Sequence, residues 1–222
     1  ILITAGESVQ GYGHIGAQVK GVKATYPSAL PHMVMKDVLG QVVPAGKTCE
    51  ELGVCFFTAE AVISIGSAFE SGQLPTTKTL TFIKKNGTPK IIETCIGTPI
   101  ADILEIFGET LNEFDRIVLG GPMTGSAVYA LEHPVQPDTD SIIVVDRDKA
   151  AYASDYPCIN CGECVRTCPA KIQVNMLVRF LEASQYEEAA DSYDLHSCIE
   201  CGLCSFVCVS RIPIFQYIKL AK

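Results

Sequence analysis

Two cysteine-rich stretches determine how this chain is organised. The first reads Cys158-Ile-Asn-Cys161-Gly-Glu-Cys164-Val-Arg-Thr-Cys168-Pro169, and the second reads Cys198-Ile-Glu-Cys201-Gly-Leu-Cys204-Ser-Phe-Val-Cys208. Both follow the spacing C-x2-C-x2-C-x3-C. Three thiols this close in sequence can meet only in a tight loop, and each run has a glycine, Gly162 or Gly202, where the backbone turns. A spacing that occurs twice in this form predicts two metal centres.

The metal centres are predicted to be [4Fe–4S] clusters, because iron–sulfur proteins use this spacing. In two-cluster proteins the fourth cysteine of each run ligates the other cluster. We therefore predict one cluster on Cys158, Cys161, Cys164 and Cys208, and a second cluster on Cys168, Cys198, Cys201 and Cys204. Two alternatives for these eight cysteines are weaker. Disulfide frameworks belong to short secreted chains without this spacing, and two zinc sites would need pairs of C-x2-C rather than triplets. Pro169 follows the first run and Val209 the second, but neither is a ligand.

Composition narrows the classes of partner and compartment. The chain has 222 residues and a formal net charge of -8, which disfavours nucleic acid and suits partners with basic docking faces. Eight of its 11 cysteines are assigned as ligands, which implies a reducing compartment. We expect the other three, Cys49, Cys55 and Cys95, to be buried free thiols, since each stands among apolar neighbours.

The hydropathy and the N-terminal residues lead to expectations about membrane spans, a signal peptide and the length of the protein. No apolar run reaches the roughly 18 residues that a membrane span needs. The opening residues Ile1-Leu-Ile-Thr lack the basic region of a signal peptide. Because the chain does not begin with Met, we expect it to be part of a longer protein.

Residues 1–77 are predicted to form an α/β unit. The pattern predicts strands at Ile1–Ala5 and Gly53–Phe57, with a helix between them from Pro31 to Gly40. A second helix is capped by Thr58 and ended by Gly72. Its predicted buried face consists of Ala59, Val62, Ile65 and Phe69.

A glycine-rich stretch near the N-terminus resembles a dinucleotide-binding motif. Gly11-Tyr-Gly13-His-Ile-Gly16 fits G-x-G-x-x-G, but no strand directly precedes it and no helix pattern follows. We therefore interpret it as a loop. His14 and His32 are interpreted as ordinary loop residues rather than ligands.

Residues 78–150 are predicted to form a small α+β domain of the β-grasp kind. Strands at 79–83 and 90–94 flank Asn86-Gly87, a strong hairpin signal. A helix follows, with Thr98 as its N-cap and Pro99 as its first residue, and it ends at Gly108. After it come a strand at 116–119, a loop at Gly120–Gly125 and a strand at 141–145. For the glycine loop, close approach to a ligand or to another backbone segment and a structural turn remain equally open.

Residues 151–222 are predicted to form a helical domain around the cysteines. Val174, Leu177, Val178 and Leu181 recur at helical spacing, which predicts one helix from there to about Ala190. A last helix opens at Pro213. The fold class is therefore a multidomain protein that combines α/β and α+β units with an α-helical domain.

The chain resembles the C subunit of the Rnf electron-transport complex over essentially its whole length. The resemblance is carried by both cysteine runs, the spacer between them, the ending 210–222, and the stretches Gly97–Ile100, Gly120–Gly125, Tyr26-Pro27, Val43-Pro44 and Gly53-Val54. It implies the remainder of a flavin domain in residues 1–77 and a soluble-ligand-binding β-grasp (SLBB) domain in 78–150. It implies a ferredoxin-like domain with two [4Fe–4S] clusters in 151–222.

The resemblance also implies a function. The chain would be an electron-transfer subunit of a ferredoxin:NAD+ oxidoreductase, peripheral on the cytoplasmic face of the cell membrane. Its partners would be the other subunits, and it would exchange electrons with ferredoxin or NAD(H) through the complex. One-electron transfer needs no acid, base or nucleophile, so we assign no catalytic residue.

Two stretches depart from the family where a flavin would bind. In the family, FMN and NADH lie on the α/β domain, and the glycine-rich flavin loop would lie upstream of this chain. Here Ser28–His32 replaces a segment with Gly and Glu, and Thr58-Ala59 replaces an Asn-Val stretch. Because Pro31 has no N–H to donate to a phosphate, we expect residues 1–222 alone not to retain FMN.

Two other functions remain open from the sequence. One is a soluble flavin and iron–sulfur reductase of the cobalamin-reductase kind, which shares this domain plan. The other is a non-catalytic scaffold that docks the cluster domain onto partners. The partner proteins and the flavin content of the purified protein would separate the three.

Overall fold

The computed structural model describes residues 1–5, 16–150, 152–154 and 156–222. The fold is mixed α/β and divides into two compact units. Residues 1–56 together with 154–222 form the first, here called the cysteine unit, and residues 57–153 form the second, the sheet unit. The three-domain division at 1–77, 78–150 and 151–222 stays a prediction. Of the G-x-G-x-x-G stretch, residues 11–15, including His14, lie outside the described residues.

The N-terminal part of the cysteine unit begins with a pair of parallel strands. Strand β1, Leu2–Ala5, was predicted, and it pairs with β2, Val19–Val22, which was not. The sequence after Gly16 showed no helix pattern, and it is the pairing with β1 that makes Val19–Val22 a strand. The chain then enters α1, Pro31–Leu39, where proline occupies the first turn and Gly40 ends the helix with a φ of 68°.

Two predictions for this part of the chain are wrong. Residues Gly53–Phe57 are not a strand, because a single 3₁₀ turn at Glu50–Leu52 and the left-handed Gly53 direct the Val54 N–H to the Cys49 carbonyl, 3.0 Å away. His32 is not a loop residue but lies in the first turn of α1.

The C-terminal part of the cysteine unit is helical. Its helices are α4 (Glu163–Thr167), α5 (Val174–Glu182), α6 (Tyr186–Ser192), α7 (Leu203–Phe206) and α8 (Ile214–Ala221). The single helix predicted from 174 to about 190 is interrupted, because Ser184 adopts a φ of 58° and the next helix starts afresh. The predicted apolar stripe of α5 is buried, and Leu177 and Val178 are 0% exposed. This stripe and Ile218 of α8 form the core into which the cysteines are set.

The sheet unit contains a five-stranded mixed sheet. Its elements are α2 (Ala59–Ser71), β3 (Thr77–Ile83), β4 (Pro89–Cys95), α3 (Ile100–Ile106), β5 (Arg116–Leu119), β6 (Ser126–Val128) and β7 (Ser141–Val145). The strand order is β4-β3-β7-β5-β6. The predicted hairpin is confirmed, with β3 antiparallel to β4, whereas β3 and β7 run parallel. Strand β6 was not predicted.

The core of the sheet unit lies between the sheet and α3. Phe82, Ile100 and Ile142 are each 0% exposed and belong to one apolar cluster. The N-cap of α3 is Pro99 rather than Thr98, a shift of one residue. The helix therefore starts without a side-chain cap, and burial of its apolar residues supplies the stabilisation.

Helix α2 differs from its prediction in the face that it exposes. The cap is as predicted, since the Thr58 hydroxyl accepts the Ala61 N–H, and Gly72 ends the helix. None of its residues is buried, however, and Phe69 is 89% exposed. The helix is held through Glu60, which accepts hydrogen bonds from Lys78 at 2.6 Å and from the Thr79 N–H at 2.7 Å.

The Gly120–Gly125 loop is a structural turn between β5 and β6. The Gly125 N–H donates to the Gly121 carbonyl at 2.7 Å. A Cβ at Gly125 would lie 2.6 Å from the carbonyl oxygens of both Gly121 and Leu119. The glycine is therefore required by the approach of one backbone segment to another.

The unassigned cysteines are only partly as expected. Cys49 is buried, with 4% exposure, as predicted. Cys55 and Cys95 are exposed, contrary to the prediction. Cys55 lies in the irregular segment after the 3₁₀ turn, and Cys95 ends the edge strand β4.

Candidate functional site

The eight cysteines of the two runs line two separate cavities. Cys158, Cys161, Cys164 and Cys208 line the first cavity, which we call site 1. Cys168, Cys198, Cys201 and Cys204 line the second, which we call site 2. Each site therefore takes three cysteines from one run and the fourth from the other. The remaining lining is mainly apolar, with Val178 at site 1 and Ile218 at site 2.

The two runs bring their cysteines together through the same backbone conformation. In each run the residue before the second cysteine has a positive φ, 57° at Asn160 and 54° at Glu200. The glycine after that cysteine is also left-handed and precedes a short helix, α4 or α7. With one left-handed residue before the second cysteine and one after it, the chain folds into a loop with the thiols on its concave side. The sequence repeat is thus also a structural repeat.

Backbone amides point at two of the sulfur atoms. The Glu200 N–H donates to Cys198 Sγ, and the Ile212 N–H donates to Cys208 Sγ, each at 3.4 Å. Hydrogen bonds of this kind stabilise negative charge on sulfur, which a ligating thiolate carries. Site 2 has such a bond at Cys198, and site 1 has one at Cys208.

Burial makes the free thiols hard to ionise. It raises the pKa of Cys164 to about 11 and that of Cys204 to about 12, with neighbouring cysteines adding to the effect. Burial also raises the pKa of Cys198 and Cys201. A bound metal centre must displace these protons, because thiolates rather than thiols are the ligands.

Each site offers four cysteine thiols in a mainly apolar cavity. A [4Fe–4S] cubane takes one thiolate on each of its four irons, so that four cysteines hold one cluster. The residues at the two sites therefore fit two [4Fe–4S] clusters.

Three polar side chains outside the cysteine set hold the cysteine loops. At site 2 the Tyr26 hydroxyl donates to the Cys201 carbonyl at 2.5 Å, and Lys222 Nζ donates to the Cys198 carbonyl at 2.8 Å. At site 1 the Arg166 guanidinium donates to the Cys161 carbonyl at 3.1 Å. Sequence reasoning missed all three roles. Only Tyr26 had any signal, as part of a Tyr-Pro pair. The contacts of Tyr26 and Lys222 join parts of the chain that are far apart in sequence, whereas Arg166 lies five residues from Cys161.

Comparison with known proteins agrees with this site. A family profile described as a 4Fe-4S dicluster domain matches residues 157–212. The C subunit of the proton-translocating ferredoxin:NAD(+) oxidoreductase complex of Clostridium ljungdahlii is 33% identical over 207 residues, 92% of this chain. The C subunit of the ion-translocating oxidoreductase complex of Edwardsiella ictaluri is 32% identical over 212 residues, 94% of this chain. The chain is a homologue of these C subunits.

The homology covers most of this chain but a minor part of the relatives. The chain spans 45% of the Clostridium protein and 26% of the Edwardsiella protein. The C subunit of the Na(+)-translocating complex of Acetobacterium woodii is 26% identical over 77% of this chain, which spans 39% of it. None of the helices in the described part of this C-subunit homologue is long and apolar enough to cross a membrane.

Proposed function

We propose that this chain passes single electrons through two [4Fe–4S] clusters as part of an Rnf-type ferredoxin:NAD+ oxidoreductase. The observation that carries the proposal is the presence of two four-cysteine cavities in one apolar core. The sites lie within electrostatic reach of each other, because Cys164 of site 1 contributes to the raised pKa of Cys204 at site 2. Each cluster supplies one-electron oxidation and reduction when bound.

The proposed ligands are the four cysteines of each site. Cys158, Cys161, Cys164 and Cys208 would hold one cluster, and Cys168, Cys198, Cys201 and Cys204 would hold the other. The apolar side chains around each set exclude water, which protects a cluster and helps to set its potential. No side chain moves a proton in this function, so a catalytic acid or base is not needed.

The other parts of the proposal rest on homology. We propose that residues 78–150 form an SLBB-type β-grasp domain, which their mixed sheet and the helix α3 support. Residues 1–77 would be the remainder of a flavin domain, and 151–222 the ferredoxin-like domain. The partners would be other subunits of a membrane-bound complex, with this chain on its cytoplasmic side. The names of the C-subunit relatives, each a subunit of a translocating oxidoreductase complex, support other subunits as the partners.

Iron analysis tests the proposal. Protein purified without oxygen should contain about eight irons and as many acid-labile sulfides per chain, as two cubanes require. The control is a Cys161→Ser, Cys201→Ser double variant, which should lose most of its iron. A firm value near four irons in the unaltered protein would leave one site without a cluster and would contradict the proposal.

A further inference from the structure

A larger cavity of about 350 Å³ lies next to site 2 in the cysteine unit. Its wall is formed by four segments: the first half of α1, residues 42–47, residues 169–171 and residues 196–199. The Gly46 N–H donates to the His196 carbonyl at 3.1 Å, which joins the second segment to the fourth. Cys198 of site 2 belongs to the same wall. The cavity therefore forms only in the folded chain, where these separate segments come together.

The charged side chains that line this cavity are all basic. They are Lys36, Lys47 and Lys171, accompanied by the titratable His32 and His196. Lys47 is already paired with Glu51 at 2.8 Å. Across the described parts of the chain, Lys36 and Lys171 have no carboxylate within ion-pair distance. A chain with a net charge of -8 thus presents two uncompensated cations at one cavity.

The rest of the lining is apolar. It includes Met33, Val43, Pro169 and Ile199, with Ser197 and Cys198 beside them. An apolar wall with a few convergent polar groups is the usual composition of a small-molecule site, and about 350 Å³ is within the usual range of volumes. A protein partner would instead need about 800 Å² of surface on this side, which a concave site of this size does not offer.

We propose that this cavity binds a small amphipathic anion. Its carboxylate or phosphate group would pair with Lys36 and Lys171, and an apolar body about the size of one ring would contact Met33, Val43 and Ile199. The bound molecule would lie against the wall that carries Cys198. This inference goes beyond electron transfer through the clusters, because binding requires the cavity and its lysines but no electron flow.

Binding of phenyl phosphate to the cluster-loaded protein tests the proposal. Calorimetry should give a Kd below about 10 mM for phenyl phosphate, and a higher Kd for inorganic phosphate and for neutral phenol. A Lys36→Gln, Lys171→Gln double variant should bind phenyl phosphate at least roughly tenfold more weakly, because it loses both charge-assisted contacts to the anionic group. The matched control is Lys23→Gln, which removes an exposed lysine of the same unit that does not line the cavity. It should bind phenyl phosphate as the unaltered protein does.

Several results would overturn the proposal. Phenyl phosphate could give no heat of binding at concentrations up to about 10 mM, or phenol could bind as tightly as phenyl phosphate. Alternatively, Lys23→Gln could weaken the binding of phenyl phosphate as much as the double variant does. Binding of poly-glutamate in place of phenyl phosphate, lost in the double variant, would identify a protein-docking face instead. Iron content is measured in every sample, so a failure of anion binding with eight irons present would leave the proposed electron-transfer function standing.

Discussion

At the scale of single residues, the two cysteine sites differ in the charges that face them. Lys222 donates to the carbonyl of Cys198 at site 2 and pairs with Glu200 at 2.9 Å, with its side chain 21% exposed. The corresponding cation at site 1, Arg166, is 62% exposed and pairs with Glu163. Groups just outside the ligand set orient the ligands and set cluster potentials through charge and hydrogen bonding. Site 2 should therefore hold the cluster of higher potential.

Removing the Lys222 charge should lower the potential of one cluster. In Lys222→Gln, the midpoint of the site 2 cluster should become more negative by roughly 40 mV, which corresponds to about 1 kcal/mol for a one-electron couple. Redox titration followed by EPR measures both clusters. Lys219→Gln is the control, because that lysine lies on the same helix but over the Phe215 ring, 5.6 Å from its centre. Equal shifts in both variants would contradict a specific role for Lys222.

The fourth cysteine of each run gives a second residue-scale prediction. Cys168 lines site 2 although it belongs to the first run. We predict that Cys168→Ser alters the EPR signal of the same cluster that Cys201→Ser alters. Cys161→Ser is the matched variant from the same run as Cys168, and it should alter the other cluster. If Cys168→Ser and Cys161→Ser change one and the same signal, the crossed assignment is wrong.

At the scale of elements, α2 depends on its ends rather than on a buried face. None of its residues is buried, so the Thr58 cap and the contacts of Glu60 are its main stabilising interactions. Lys78, the partner of Glu60, is only 6% exposed and also reaches Asp140 at 3.3 Å. A buried lysine needs such carboxylates, because an unpaired charge there would be strongly destabilising.

Weakening the Glu60 contact should loosen α2 selectively. Glu60→Gln keeps the shape of the side chain but removes the charge that pairs with Lys78, and should destabilise the sheet unit by about 1–2 kcal/mol. Hydrogen exchange should become faster in α2 and in the first residues of β3. Glu70→Gln changes the same charge near the other end of α2, where a carboxylate is unfavourable, and should not speed exchange. Similar exchange in both variants would show that Glu60 does not anchor the helix.

At the scale of the whole molecule, the two units have separate cores of different kinds. The core of the cysteine unit includes thiols among its buried residues, such as Cys164 and Cys204. The core of the sheet unit consists of apolar side chains alone, centred on Phe82 and Ile142. Bound clusters contribute their binding free energy to the folded state, so only the first unit should depend on iron.

Removal of iron should therefore destabilise one unit and spare the other. After oxidation and chelation, backbone amides of α5 and α8 should lose protection from hydrogen exchange, whereas those of β3 and β7 should keep it. Leu177→Ala, which removes a side chain that is 0% exposed, is a useful comparison, because it should lower the stability of the cysteine unit by about 2–5 kcal/mol with iron present. Simultaneous loss of protection in both units on chelation would contradict independent cores.

Local chemistry determined what the sequence alone could predict. Cysteine spacing, a threonine cap at α2, the glycine that ends α1 and the Asn-Gly hairpin each act over a few residues, and they can be recognised without knowledge of the fold. The stripe on α5 was predictable for the same reason, since its period matches the helix. These signals were enough to predict two sets of four cysteines, the helical segments at α5 and α8, and the β3–β4 hairpin.

Contacts between distant residues decided the rest. Gly53–Phe57 has strand-like residues but finds no partner strand among the described residues, while Val19–Val22 becomes a strand because Leu2–Ala5 lies beside it. The apolar residues of α2 follow a helical period, yet nothing in the sequence says whether another layer covers them. The loop supports from Tyr26 and Lys222 and the basic cavity join segments far apart in the chain. Such contacts depend on how the whole chain closes, because no short stretch contains both partners.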